Sequence, residues 1–408
     1  MKGRLGPIML AVMLLGYGVG RAAERMPTAQ EKLTRTEWTK VRGVNFFPSY
    51  AANPYEVWRK YDHNLFDREL RLVPAVGYNS VRIWLNYRAY EELGSKMVDN
   101  VQDALRLCQK YHLRVVLTMF DSCGIRPSKD ARWMPAVEAY HQLLDSPRFS
   151  PAEKQYLQKV FGEYATGYAR NTVVQVEPDS HFMTLLWQDW QSSPGKDRLG
   201  TGWYPRIEKY VDAQLGRLQN NPDILEWDIM NEPEFVSEGP LSATRMYTNE
   251  DFRTVEAFLA HWHSYIKQHY PNQLVGIGWA SHESTRAHAQ LVDVFNIHIY
   301  GEPDKLKEAI NAGVVMSKEF NKPVLITECL GNWDFNLLGS PAFEALSSDE
   351  GQLAHYRKLL PILVDSPIGW LGWGMIVSRV NFPFLDILYP NGHPRPAAIY
   401  LEKMLKGN

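Results

Sequence analysis

The sequence predicts an α/β protein, a (β/α)8 TIM barrel with a long helical insertion after its third strand. Three observations lead there. Short β-rich runs alternate with amphipathic helical patterns until eight strands are counted. Two of these runs, ILEWDIMNEPE (224–234) and PVLITECLG (323–331), deliver Glu232 and Glu328 where an apolar strand opens into a loop. About 90 residues then separate the third run from the helix leading into the fourth, where a few would suffice.

Taken in chain order, Lys2 and Arg4 precede an apolar stretch, Ile8 to Val19, that ends among small residues near Ala22 and Ala23. Residues 1–23 read as a secretory signal peptide, with an uncleaved anchor as the alternative. The stretch is short of the roughly 20 apolar residues of a bilayer span, and Gly16, Gly18 and Gly20 weaken it further. Residues 24–408 carry no linker, charge block or repeat, so a single domain is expected, secreted or periplasmic and monomeric, with no membrane span once the signal is cut.

The strands are expected at Arg42 to Phe47, Ser80 to Trp84, Arg114 to Met119, Ile224 to Met230, Leu274 to Gly278, Val294 to Ile299, Val324 to Thr327 and Gly369 to Trp373. Each is short, β-branched or aromatic, and bounded by turn formers. Helical periodicity fills the gaps at Tyr55 to Val76, Val101 to Tyr111, Lys209 to Gln219, Phe252 to Tyr270, Lys305 to Phe320, Gly351 to Val364 and Pro396 to Leu405. Each helix returns the chain for the next parallel strand, and eight such units close on themselves. The insertion, about 121–205, holds a helical stretch at Pro151 to Tyr168 and four tryptophans, Trp133, Trp187, Trp190 and Trp203. It must emerge on the face carrying the strand-end loops, where it walls one side of a cleft. One or two of those indoles can serve as sugar platforms; packing of the insertion onto the barrel is the alternative use.

A net charge of −2 with both signs dispersed points away from nucleic acid and anionic membrane surfaces as partners. Three cysteines do not make a disulfide scaffold. Cys108 reads as a small buried hydrophobe; Cys123 and Cys329 follow strands on opposite sides of the barrel and are not expected to pair. His261 and His263 lie two apart on a helix and face different ways, and strand 1 ends without an H-x-H, so no metal or other cofactor is expected. Gly276 and Gly278 lack the third glycine of a dinucleotide loop and fit strand 5 better.

Two carboxyls facing one another at a barrel mouth can divide the work of glycoside cleavage, one donating a proton and one attacking. A nucleophilic Glu328 needs a low pKa, hence a cationic or hydrogen-bonding partner. Arg82 in VRIW is the first candidate and Tyr300 in FNIHIYG the second; His298 shares a strand face with Tyr300 and is placed to touch substrate or Glu232. Pro233 fixes the chain leaving strand 4.

These residues, RGVNFFP at strand 1, Arg82, the triplet Asn231-Glu232-Pro233, His298 and Tyr300, Glu328 in ITE and Trp373 in GWLGWG, resemble the clan A glycoside hydrolases of the 4/7 type, most similar to the family 5 cellulases and mannanases, over nearly the whole chain after residue 23. The resemblance implies Glu232 as acid/base, Glu328 as nucleophile, Asn231 as ligand of the sugar 2-hydroxyl and Trp373 as the platform under the sugar. It also implies an oligo- or polysaccharide substrate, mannan- or glucan-type. The third strand departs from the pattern: TMFDSCG puts Asp121 where many members place a substrate-binding histidine. A non-catalytic sugar-binding barrel would keep the aromatics without needing the carboxyl pair, and a transglycosylase would use the same two glutamates.

Overall fold

The computed structural model describes residues 27–51, 53–122, 132–145, 173–176, 193–195, 198–236, 250–331, 348–375, 386–389 and 391–407, with 147, 151, 154, 155 and 158 singly. Eight parallel strands form a closed barrel: β1 (Arg42–Asn45), β2 (Ser80–Trp84), β3 (Arg114–Asp121), β4 (Ile224–Asn231), β5 (Val275–Trp279), β6 (Phe295–His298), β7 (Val324–Cys329) and β8 (Gly369–Trp373). They neighbour one another in chain order, and β1 pairs with β8 to close the ring. The expected strands are all present. Four of them run further than expected at their C-terminal ends, to Asp121, Asn231, Trp279 and Cys329, so Glu328 lies inside its strand and Glu232 one residue beyond its own.

The expected helix from Tyr55 to Val76 is three shorter ones, Pro54–Arg59, His63–Leu70 and Leu72–Ala75. Asp62 cuts it, accepting from Leu65 N at 3.0 Å and so capping a new helix start, while Asn53, accepting from Glu56 N at 2.8 Å, caps the first of the three. Other helices agree within a few residues: Ser95–Lys110, Tyr204–Leu218, Glu250–His269, Pro303–Phe320, Asp349–Val364 and Pro396–Lys406. Among the described residues no helix is long and apolar enough to cross a membrane.

The apolar core lies between barrel and helices. A second cluster (Trp38, Val41, Val116, Leu225, Leu274, Val294, Leu325, Leu371) fills the N-terminal end of the barrel, with Ala29 and Leu33 of helix Ala29–Arg35 packed beneath it. Above that plug the interior turns polar, and β5 makes the room. A Cβ on Gly276 would lie 2.4 Å from Asn296 Nδ2 and 2.5 Å from Glu226 Oε2. One on Gly278 would lie 2.8 Å from His298 Nε2 and 2.9 Å from Arg82 Nη2. The glycines are therefore strand residues whose missing side chains admit polar groups from β2, β4 and β6.

In the insertion, Arg132–Pro135 pairs antiparallel with Val173–Val176, helix Ala136–Asp145 follows the first of these, and Asp121 bridges to Ser193. Arg198 and Arg206 lie over the Trp203 ring at 4.9 and 5.0 Å, so this indole is engaged by cations of its own chain. Residues 1–23, Cys123, Trp187, Trp190, the Trp133 side chain and most of 151–168 lie outside the described residues. Cys108 and Cys329 are buried free thiols. His261 stacks on Tyr204 at 4.0 Å.

Glu226 is fully buried on β4, with Asn296 donating to it at 2.9 Å. Burial, reinforced by the charge of Asp228, pushes its carboxyl up to about 8, so it is neutral at pH 7. Its stabilising effect is complete below the unfolded carboxyl value and is lost as pH rises through the folded one. Glu226→Gln keeps the Asn296 contact and removes the titration. Denaturant midpoints measured from pH 4.5 to 8 are expected to fall with rising pH in the parent by up to about 1.4 kcal/mol per unit more than in E226Q. Parallel profiles would refute the assignment.

Candidate active site

The C-terminal end of the barrel is built in register. Asn45 stands opposite Arg82 and Trp373, Asp121 opposite Asn231, and His298 opposite Glu328. A one-residue slip would turn these polar groups into the apolar layer outside, so strand pairing itself positions the chemistry.

Arg82 is completely buried and its guanidinium is the hub. Nη1 donates to Glu328 Oε1 at 2.5 Å and to Asn45 Oδ1 at 3.1 Å. Nη2 donates to Asp228 Oδ2 at 2.7 Å and Asn231 Oδ1 at 2.8 Å, and Nε donates to Asp228 Oδ2 at 3.1 Å. Its plane also lies over Trp84, 4.2 Å from the ring centroid. Burial works against its charge; Asp228 and Glu328 more than restore it.

Tyr300 donates to the other Glu328 oxygen, Oε2, at 2.7 Å. Both partners expected for Glu328 are therefore present. The expectation of a low pKa is nonetheless corrected. Burial is the largest influence and raises the carboxyl above its ordinary value, and His298, Arg82 and Tyr300 only partly pull it back. The Tyr300 phenol is pushed well up by burial and by the two glutamates, so it keeps its proton and remains a donor.

Glu232 sits just past β4 with φ +42, a backbone region that non-glycine residues seldom adopt. Neighbours hold it there. Its N–H donates to Gly278 O at 2.7 Å, Ser122 Oγ donates to its carbonyl, and two residues on Glu234 Oε1 accepts from Ala280 N at 2.9 Å. Its side chain is 13% exposed against 4% for Glu328. His298 Nδ1 lies 2.9 Å from Glu232 Oε1 and 3.5 Å from Glu328 Oε2. Burial drives that imidazole down to about 4, so a neutral ring bridges the two carboxyl groups.

Asn231 donates Nδ2 to Asp121 Oδ1 at 3.1 Å while its oxygen is held by Arg82, which fixes the amide orientation. Asp121 is buried and supports Asn231 from behind. Trp373 is 7% exposed, with its ring 5.6 Å from Trp84 and 6.2 Å from Phe47. All eight residues proposed from sequence thus converge on one end of the barrel. Sequence reasoning missed Asp228, Asn45, Thr118 and Ser122. Asp228 had a signal: with Glu226 two residues before it, it puts charge at inward positions of a strand whose alternate residues Leu225, Trp227 and Ile229 are apolar.

Donor atoms of Glu232, His298 and Glu328 lie within 4.8 Å of one another, a spacing a metal ion can accept. The Glu328 oxygen facing His298 is Oε2, which already accepts from Tyr300, while Oε1 is held by Arg82, so both oxygens of that carboxyl are engaged by protein donors.

No protein-family model matches the sequence, and no curated protein matches it. Solved structures do match in fold. The exo-beta-1,4-mannosidase Op5Man5 from Opitutaceae bacterium strain TAV5 is 16% identical, covering 90% of this chain and 59% of that one, with a TM-score of 0.55. A GH5_18 structure from Bifidobacterium longum subsp. longum, in complex with Manb1-4GlcNAc, is 14% identical over 90% of this chain and 78% of that one, TM-score 0.54. Bacteroides uniformis beta-glucuronidase is 14% identical over 90% and 35%, TM-score 0.51. The chain thus spans under two thirds of the first and third of these proteins, and at these identities the likeness is one of barrel fold.

Tyr300→Phe removes one of the two donors to Glu328 and leaves the ring in place. The Glu328 carboxyl, followed by 13C NMR titration, is expected to move further up. An unchanged or lowered value would show that the phenol does not stabilise the carboxylate.

Proposed function

We propose that the protein is a retaining β-glycoside hydrolase, made as a precursor with residues 1–23 as signal and 24–408 as one secreted or periplasmic catalytic domain. The observation that carries this reading is the unequal carboxyl pair. Glu232 and Glu328 have donor oxygens within 4.8 Å, one deeply buried on a guanidinium and a phenol, the other more exposed and touched by a neutral imidazole. The spacing suits a retaining site, with carboxyls about 5 to 5.5 Å apart, better than an inverting one, which leaves about 6.5 to 9.5 Å for water.

In the mechanism this arrangement supports, Glu328 attacks the anomeric carbon while Glu232 gives its proton to the departing glycosidic oxygen. The bond to that oxygen breaks and a glycosyl ester forms on Glu328. Glu232, now ionised, takes a proton from water, whose oxygen attacks the same carbon and frees Glu328. Arg82 and Tyr300 keep the nucleophile oriented, and their hydrogen bonds receive its charge when it is released. Asn231, held by Arg82 and Asp121, presents its amide to a sugar hydroxyl, and Trp373 lies at the end of β8 as the platform below the ring.

The mannan- or glucan-type β-1,4 substrate implied by the resemblance is retained: two fold neighbours, a β-1,4-mannosidase and a GH5_18 protein holding Manb1-4GlcNAc, support the manno configuration, while a third is a beta-glucuronidase. Glu328→Ala is expected to abolish turnover on every substrate. Glu232→Ala should lose at least about 100-fold on natural glycosides, the usual size of a general-acid contribution, and far less on aryl glycosides with activated leaving groups. Equal losses of E232A on both substrate types would sink the division of roles.

A further inference from the structure

Asp228 lies beneath the site, completely buried, and makes no approach to the two glutamates except through Arg82. Four donors fix it. Oδ2 accepts from Arg82 Nε and Nη2 and from Thr118 Oγ1 at 2.9 Å; Oδ1 accepts from Gly278 N at 2.9 Å. The guanidinium thus bonds Asp228 through two of its nitrogens and Glu328 through the third. One buried cation is shared between two buried carboxylates, of which the proposed chemistry consumes only one.

We infer that Asp228 is a positioning residue, the permanent counterion of Arg82, which holds the guanidinium in place and paired while Glu328 gives its charge to a covalent bond. The inference rests on the reading of Glu328 as nucleophile. When the Glu328 oxygen bonds to the anomeric carbon and the glycosidic oxygen leaves with the Glu232 proton, Glu328 becomes a neutral ester. Arg82 is then left in a sealed interior with amide oxygens and whatever anion remains. A buried guanidinium stripped of its carboxylate is strongly unfavourable. Asp228 removes that penalty from the ester state, and it also weakens the hold of Arg82 on the ground-state nucleophile, since the cation is shared.

The experiment is a double-mutant cycle read by melting temperature and, separately, by kinetics. Glu328→Gln mimics the uncharged ester and should stay folded near the parent melting temperature, because Asp228 remains. Asp228→Asn with Glu328 intact should lose more, and E328Q/D228N together should lose well beyond the sum of the two. Additive losses, or an E328Q protein that fails to fold, would overturn the inference; a D228N protein that fails to fold while E328Q folds would support it. In folded D228N the acidic limb of kcat/KM should move down by about 1 pH unit or more, with glycosylation slowed about 100-fold and hydrolysis of the ester little changed. Asp228→Glu should restore part of that rate. An unmoved limb with both steps slowed alike would mark Asp228 as merely structural. Absence of turnover in the parent would defeat the glycosidase reading instead, and the stability cycle would still decide the counterion.

Discussion

The buried guanidinium of Arg82 is the constraint on which the rest of the site depends. Bringing a charge into the interior of a barrel is costly unless every donor finds an acceptor and the charge finds its opposite. Arg82, on β2, meets both terms with Asp228 and Asn231 of β4, Glu328 of β7 and Asn45 of β1. Those strands must be in register for the contacts to exist, so the same interactions that orient Glu328 also specify the barrel's pairing. Asn45 extends the link by donating to the carbonyls of Thr327 and Gly372, which ties β7 and β8 to β1.

Room for this polar layer comes from what β5 lacks. Gly276 and Gly278 face the interior, and the volume that two side chains would fill is taken by Glu226 with Asn296 and by His298 with Arg82. Below them the barrel is apolar and plugged by the Trp38 cluster. A dry floor and a sealed wall keep the effective dielectric low, which is why Glu226 and His298 are both held neutral at pH 7 and why the bond between Arg82 and Glu328 is strong. Glu232, the acid/base of the proposed mechanism, leaves the layer. Its positive φ and its stitches to Gly278 and Ser122 carry Glu232 from the strand end toward the mouth.

Much of this was legible in the sequence because barrels write themselves in period: eight short apolar runs, each followed by a helix, allow few other closures. Glu232 and Glu328 were legible because each ends an apolar strand and the other polar residues stand in order at the neighbouring strand ends, and Arg82, His298 and Tyr300 because strand alternation puts them on the same inner face. What was not legible needed three dimensions. Asp228 carried a signal as a charge inside a strand, but its purpose shows only in its four donors. The upward shift of Glu328 could not be foreseen either, since a list of partners says nothing of how completely they are buried. The helix from Tyr55 to Val76 was misjudged because its periodicity outweighed the capping residue Asp62, which works locally. Trp203, offered as a sugar platform, is covered by two arginines that adjacency in sequence did not reveal.

The central claim is that Glu328 forms a covalent bond to sugar. It is tested most directly by intact-mass spectrometry of the protein after incubation with fluorinated, activated β-glycosides of gluco, manno, xylo and galacto configuration and their disaccharides, followed by peptide mapping. The account predicts a single adduct on Glu328, formed fastest with a manno- or gluco-configured reagent and absent from E328Q. An adduct on another carboxyl, or none with any reagent on protein shown to be folded, would contradict it.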